Sequence, residues 1–228
     1  MNNIIVFLAI QVICYALLLA FYRLWGREGV FGWIAIASVM GNIACNLVYC
    51  LGPFEHGGGC APMASVFLAT DILAENHGRE DARKGAYVSI ASILAYMVLA
   101  QLALLIQPAA SDWGMEHFRA VLKFSPRFSI LSVVAVAVSG MLDVALFSHF
   151  KGRDKGDRLL WLRNNVSTMA SQVVDNVLFM GVAYIGLLPF GTILRMILMC
   201  TIVEFVSAIL DTPFMYAAKY RLKEKVVG

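Results

Sequence analysis

The chain has 228 residues, 60% of them apolar and only 14% charged, with a net charge of +3 and a mean hydropathy of +0.75. Soluble domains carry about 25% charged residues, so this composition excludes an ordinary soluble globular domain. Several runs approach the roughly 20 apolar residues that a helix needs to cross a hydrocarbon core about 30 Å thick, and the chain reads as an all-α integral membrane protein.

Seven apolar segments follow one another, at about 4–22, 30–51, 62–77, 85–106, 128–150, 164–186 and 192–217. The first lacks a basic leader and a clear small-residue cleavage site before "YRLWGREG", so it reads as a helix and not as a signal peptide. The third is short, some 16 residues or about 24 Å at 1.5 Å per residue. It is taken as a crossing helix, because a re-entrant segment would send the basic turn after it to the opposite face from the other basic loops.

Those loops set the expected orientation. Arg23 and Arg27 lie in the loop 23–29, and Arg79, Arg83 and Lys84 in the turn 78–84. Lys151, Arg153, Lys155, Arg158 and Arg163 lie in the loop 151–163, and Lys219, Arg221, Lys223 and Lys225 in the tail. If all seven segments cross, these stretches share one face, and the positive-inside bias puts the C-terminus in the cytoplasm and the N-terminus outside.

Cys14, Cys45, Cys50 and Cys200 sit in apolar runs, where a thiol behaves as a small hydrophobe, and only Cys60 falls in an outer loop. Neither a disulfide framework nor a metal site is expected. His56, His77, His117 and His149 show no ligand spacing. "HGGGC" at 56–60 has the look of an esterase oxyanion loop, but no G-x-S-x-G elbow accompanies it, and it reads as a flexible outer loop. There is no G-x-x-x-x-G-K-[ST], so the chain does not itself use ATP.

The polar residues inside the apolar runs are costly to keep in a membrane and point to function. Asn42 and Asn46 are four apart, as are Asp71 and Glu75. Gln172, Asp175 and Asn176 fall at i, i+3 and i+4, Asp143 follows Ser139 by four, and Glu204 and Asp211 are seven apart. Each group therefore occupies one helix face. Amides and hydroxyls also join membrane helices, but an excess of carboxyls with Arg195 as their basic span partner exceeds what helix association requires. Arg195 itself lies near a helix end and reads as a snorkelling residue. Carboxylates accept paired N–H bonds from an amidine-like edge, so a donor-rich or cationic ligand in one shared pocket near the bilayer midplane is expected.

The stretches "RLLWLRNNVSTMASQVVDNVLF", "FLATDILAENHG", "SPRF…LDVALF" and "LDTPFMY" resemble the queuosine precursor transporter family, also called the vitamin uptake transporter family, over about residues 36–217. The resemblance implies a six-helix transporter core at 30–218, one additional N-terminal transmembrane helix and loop at 1–29, and a basic cytoplasmic tail at 219–228. It implies a multi-pass protein of the bacterial inner membrane that imports 7-deazaguanine bases, namely the cyano or aminomethyl queuosine precursors or queuine, for tRNA modification salvage. The expected substrate-binding residues are Asn42, Asn46, Asp71, Glu75, Asp143, Gln172, Asp175, Asn176 and Glu204. No cofactor, metal, nucleic-acid partner or energising ATPase is expected, and a homodimer is left open.

Three positions depart from what family members often carry: Gly140 in place of Gln, Asn176 in place of Thr, and Glu204 in place of Lys. Two other readings stay open. One is the substrate-binding membrane subunit of an energy-coupling-factor vitamin transporter, which requires partner ATPases. The other is an intramembrane enzyme, against which stands the lack of a nucleophile–base pair or metal motif in the sequence.

Overall fold

The computed structural model describes residues 3–227 except 53, 123–124, 152–159 and 187–188. In chain order its elements are α1 (Asn3–Ala44), β1 (Val48–Leu51), β2 (Phe54–Gly57), α2 (Cys60–Asn76), α3 (Arg79–Ala103), α4 (Met115–Leu122), α5 (Ser125–Lys151), α6 (Leu160–Ala183) and α7 (Phe190–Val227). Four of them, α1, α3, α5 and α7, contain stretches long and apolar enough to cross a membrane, and α6 adds the shorter apolar stretch Met169–Ala183. Large apolar side chains such as Ile13, Leu99, Leu198 and Ile209 stand on outer helix faces, as a lipid-facing surface requires. The chain is a multi-pass, mostly helical membrane protein.

Helix α1 is two limbs joined at Gly26, whose backbone (φ 61, ψ −140) is accessible to glycine and strained for other residues. A straight helix would separate Phe21 and Trp33 by about 18 Å along its axis, yet their rings lie 5.6 Å apart. The limbs therefore fold back on each other, and the Asn3 amide reaches the Cys50 carbonyl at 2.9 Å. The expected segments 4–22 and 30–51 correspond to these limbs with one correction. The second limb stops at Ala44, and 48–51 is strand β1, antiparallel to β2 with Val48 opposite Gly57 and Leu51 opposite Phe54. "VYCL" favours a strand through its Val and Tyr, and Gly52 (φ 62) makes the turn. Helix α4 is likewise absent from the sequence reading.

The HGGGC stretch is not a loose loop. A Cβ on Gly58 would come within 2.7 Å of the Ala44 carbonyl oxygen, and one on Gly59 within 2.7 Å of the Gly41 carbonyl oxygen. The glycines let this turn press onto the last turn of α1, and His56 is buried. From here α2 runs as the central helix. It starts at Cys60 beside α7 and ends where Asn76 donates to the Tyr22 hydroxyl at 3.1 Å and the Ala218 carbonyl at 3.4 Å. It thus spans the molecule from the hairpin end to the opposite end, and most of its residues are buried. At 17 residues α2 is not among the helices long and apolar enough to cross a membrane.

The end opposite the hairpin gathers charge. Arg27 at the α1 bend and Lys84 in α3 both contact Asp81, at 3.1 and 3.2 Å, and Lys219 of α7 pairs with Glu75. The stretches 23–29 and 78–84 and the start of the tail therefore share one end, as the charge pattern anticipates. The basic loop 151–163 lies largely outside the described residues, as do the side chains beyond Lys219.

Candidate functional site

Helices α5 and α6 pack most extensively, α6 in turn packs on α7, and α2 contacts both α5 and α7. The polar faces seen in the sequence meet inside this arrangement. Positions four apart on α5 face positions four apart on α6 in antiparallel register: Ser139 donates to Asp175 at 2.8 Å, and Ser171 donates to Asp143 at 3.2 Å. Each serine has a single hydroxyl proton, which the carboxyl shares with the carbonyl four residues back on the serine's own helix.

Asp71 of α2 and Asp143 of α5 are fully buried, and their carboxyls approach each other. An ionised carboxyl offers acceptors only, so this contact requires a proton on one partner or a donor between them. Gln172 is buried beside Ser171 in sequence, and its Oε1 has no hydrogen-bond partner among the described residues. A buried acceptor without a donor costs about 1–3 kcal/mol, a cost that a ligand carrying N–H groups removes.

Toward the hairpin end, Asp175, Asn176 and Glu204 line one small cavity of about 60 Å³ together with Cys60, Ser132, Phe179 and Tyr184. The Asn176 amide donates to Glu204 and, at 3.3 Å, to Thr201. No basic side chain contacts Asp143, Asp175 or Glu204 among the described residues. The cavity has room for only a few waters, whereas ligand pockets run from roughly 300 Å³ upward. A recess of about 830 Å³ lies between the α2–α3 turn and α5, beside Gly78, Arg79 and His149, and touches none of the expected site residues.

The structure thus brings Asp71 and Asp143 together, and Asp175, Asn176 and Glu204 together. Three expected residues stand apart. Asn46 is exposed and turns its amide onto its own helix, toward the carbonyl of Ile43 at 3.2 Å. Asn42 accepts from Ser129 at 3.5 Å, at the α1–α5 contact. Glu75 points to the charged end, where Lys219 meets it. Arg195 is exposed and donates to the Gly191 carbonyl at 3.2 Å, in keeping with a snorkelling role. Gly140 is buried where α5 meets α3, with Ala86 in ordinary contact distance of a Cβ placed there.

Residues 57–218 match the family model described as "Putative vitamin uptake transporter". The chain belongs to the vitamin uptake transporter family. A "Probable queuosine precursor transporter" of Bacillus subtilis (strain 168) is 33% identical to it over 218 residues, 96% of this chain and 94% of the relative. No solved structure matches the chain. The region matched to the vitamin uptake transporter family contains the Asp71–Asp143 contact and the Asp175–Asn176–Glu204 cavity.

A further cluster carries no signal in the sequence. His56, Cys60 and Cys200 place their ligand atoms within 4.8 Å of one another, with Cys200 Sγ 3.3 Å from His56 Nδ1. His56 and Cys60 are four apart but belong to a strand and a helix, and Cys200 comes from α7, so neither a helical face nor a short metal motif announces the group.

Proposed function

We propose that this chain imports a 7-deazaguanine base, a queuosine precursor or queuine, and that Asp71, Asp143, Gln172, Asp175, Asn176 and Glu204 form the path and site of that substrate. The observation that carries this reading is the surplus of buried acceptors on facing helices: the Asp71–Asp143 contact and the unpartnered Gln172 Oε1. A guanine-like edge presents a ring N–H and an exocyclic NH₂ side by side, the pattern that a carboxylate accepts in parallel. The name of the Bacillus subtilis relative supports the same substrate class.

In this reading each limb of α1 crosses the membrane, followed by α2, α3, α5, α6 and α7. The first limb is the addition to a six-helix core, the N-terminus lies outside and the C-terminus in the cytoplasm of a bacterial inner-membrane protein. Access alternates by movement of α6 and α7 about the acids, which lie between the two ends of the bundle, as in carriers whose sites sit near the midplane.

The test is binding by the purified full chain, followed by thermal shift against queuine, the aminomethyl and cyano bases, guanine, adenine and unrelated vitamins. Stabilisation by deazaguanines alone, with uptake into vesicles containing only this chain, is expected. Uptake that requires an added ATPase, or stabilisation only by a vitamin, overturns the proposal.

A further inference from the structure

We infer that His56, Cys60 and Cys200 form a binding site for Zn²⁺ at the hairpin end of the bundle. The inference does not depend on the identity of the transported substrate.

Zinc takes tetrahedral nitrogen and sulfur ligands with Zn–S of about 2.3 Å and Zn–N of about 2.0 Å, which puts a thiolate sulfur and an imidazole nitrogen on one ion about 3.5 Å apart. The observed Sγ to Nδ1 distance is 3.3 Å, and all three ligand atoms fall within 4.8 Å of one another. The elements that supply them are fixed independently of any ion. The glycines between His56 and Cys60 press against the carbonyls of α1, and a side chain at Gly58 or Gly59 would collide there. The His56 ring stands edge-on between Phe7 and Tyr49, at centroid distances of 5.8 and 5.7 Å. His56 and Cys200 are 2% and 1% exposed. His56 Nε2 is buried and has no hydrogen-bond partner among the described residues, so it is Nδ1 that the fold turns toward the two sulfurs.

Charge selects the ion. Soft thiolates suit Zn²⁺ or Cu⁺. Two thiolates and a neutral imidazole make a net-neutral unit with Zn²⁺, whereas Cu⁺ leaves a negative charge buried without a partner. Binding releases the two thiol protons to solvent. Three protein ligands leave a fourth position, and Glu204, one turn beyond Cys200 on α7, lines with Cys60 the cavity at that end. A bound ion would tie the start of α2 to α7 at the mouth of that cavity. The competing arrangement is a Cys60–Cys200 disulfide, which consumes both sulfurs and assigns no role to the His56 nitrogen turned toward them.

The experiment uses the purified full chain, reduced, freed of metal with a chelator, and titrated with Co²⁺. The wild-type protein should develop thiolate-to-cobalt charge-transfer absorption that saturates at one equivalent and disappears when Zn²⁺ is added. Cys60→Ser and Cys200→Ser should lose that absorption, and Cys14→Ser and Cys50→Ser should keep it. Zn²⁺ affinity should fall in His56→Ala by more than the roughly 10- to 100-fold that loss of an outer-shell partner costs. The inference is overturned if folded, reduced wild-type protein gives no such absorption. It is equally overturned if the absorption survives in both Cys60→Ser and Cys200→Ser, or if the protein purified without reductant carries a Cys60–Cys200 disulfide by mass spectrometry.

Discussion

Asn176 donates its side-chain amide to the Glu204 carboxylate across the α6–α7 contact, so two positions that depart from common family residues meet each other. A neutral amide satisfies one oxygen but does not cancel the charge, and Arg195, committed to the Gly191 carbonyl, does not reach it. The cavity is therefore bordered by a carboxyl that no basic side chain contacts among the described residues. The aminomethyl base and queuine carry a protonatable amine and the cyano base does not. A hydrogen bond to a charged group contributes about 1.5–3 kcal/mol, or about 10- to 150-fold in affinity. Calorimetry on purified protein should show that preference for the amine-bearing bases, reduced in Glu204→Gln. Equal affinities for the two kinds of base would take Glu204 out of the site.

The contact between Asp71 and Asp143 predicts a separation of function from folding. Asn at either position keeps the size of the side chain and supplies the N–H donor that the pair needs in the absence of a ligand. Asp71→Asn and Asp143→Asn should therefore unfold at or above the wild-type temperature while uptake falls at least about tenfold, the cost of one hydrogen bond to a charged acceptor. Variants that lose stability and uptake together would mark the pair as a structural tie between α2 and α5.

The parts of this molecule legible in the sequence are those written in periodicity. The apolar lengths locate the long helices, and the fourfold spacing of Asp143 with Ser139 lies in the register in which α5 and α6 meet. Periodicity does not reveal partners. Glu75 shares a helix face with Asp71, but one turn further on it meets Lys219, 144 positions along the chain, and so serves the charged end. Short apolar runs are ambiguous between strand and helix, which is why the run 30–51 reads as one segment through β1. His56, Cys60 and Cys200 were invisible because the turn that folds His56 toward Cys60 depends on how closely Gly58 and Gly59 approach α1, a property of packing and not of spacing.

The bend in α1 gives a stability prediction. Gly26 has φ 61 and ψ −140, and a Cβ there meets no other atom within 4 Å, so backbone conformation alone resists substitution. Residues forced into such regions cost about 1–3 kcal/mol each. Gly26→Ala should lower stability by about that amount in reversible denaturation, whereas Gly32→Ala, inside the second limb with ordinary helical backbone and open space around it, should be neutral or mildly stabilising. Equal effects of the two substitutions would argue against a sharp bend at Gly26.

The last prediction concerns pH at the charged end. Asp81 lies in the first turn of α3, where the helix N-terminus favours an anion, and receives Arg27 from the bend of α1 and Lys84 from its own helix. Burial by itself pushes its carboxyl up, but the hydrogen bonds and charges of Lys84 and Arg27 outweigh it and hold Asp81 below its usual value of 3.8. With the folded value depressed, the unfolded chain takes up its proton first as the pH falls. The stabilisation is therefore fully present above about pH 4 and is lost as the pH drops from there through the folded value. Arg27 is half-exposed and also pairs with the exposed Glu28, so added salt should weaken the cluster. Thermal unfolding in detergent should show Asp81→Asn less stable than wild type at pH 7, by a margin that narrows below pH 4 and in high salt. A margin independent of both would mean that the carboxylate acts through shape or neutral hydrogen bonding and not through its charge.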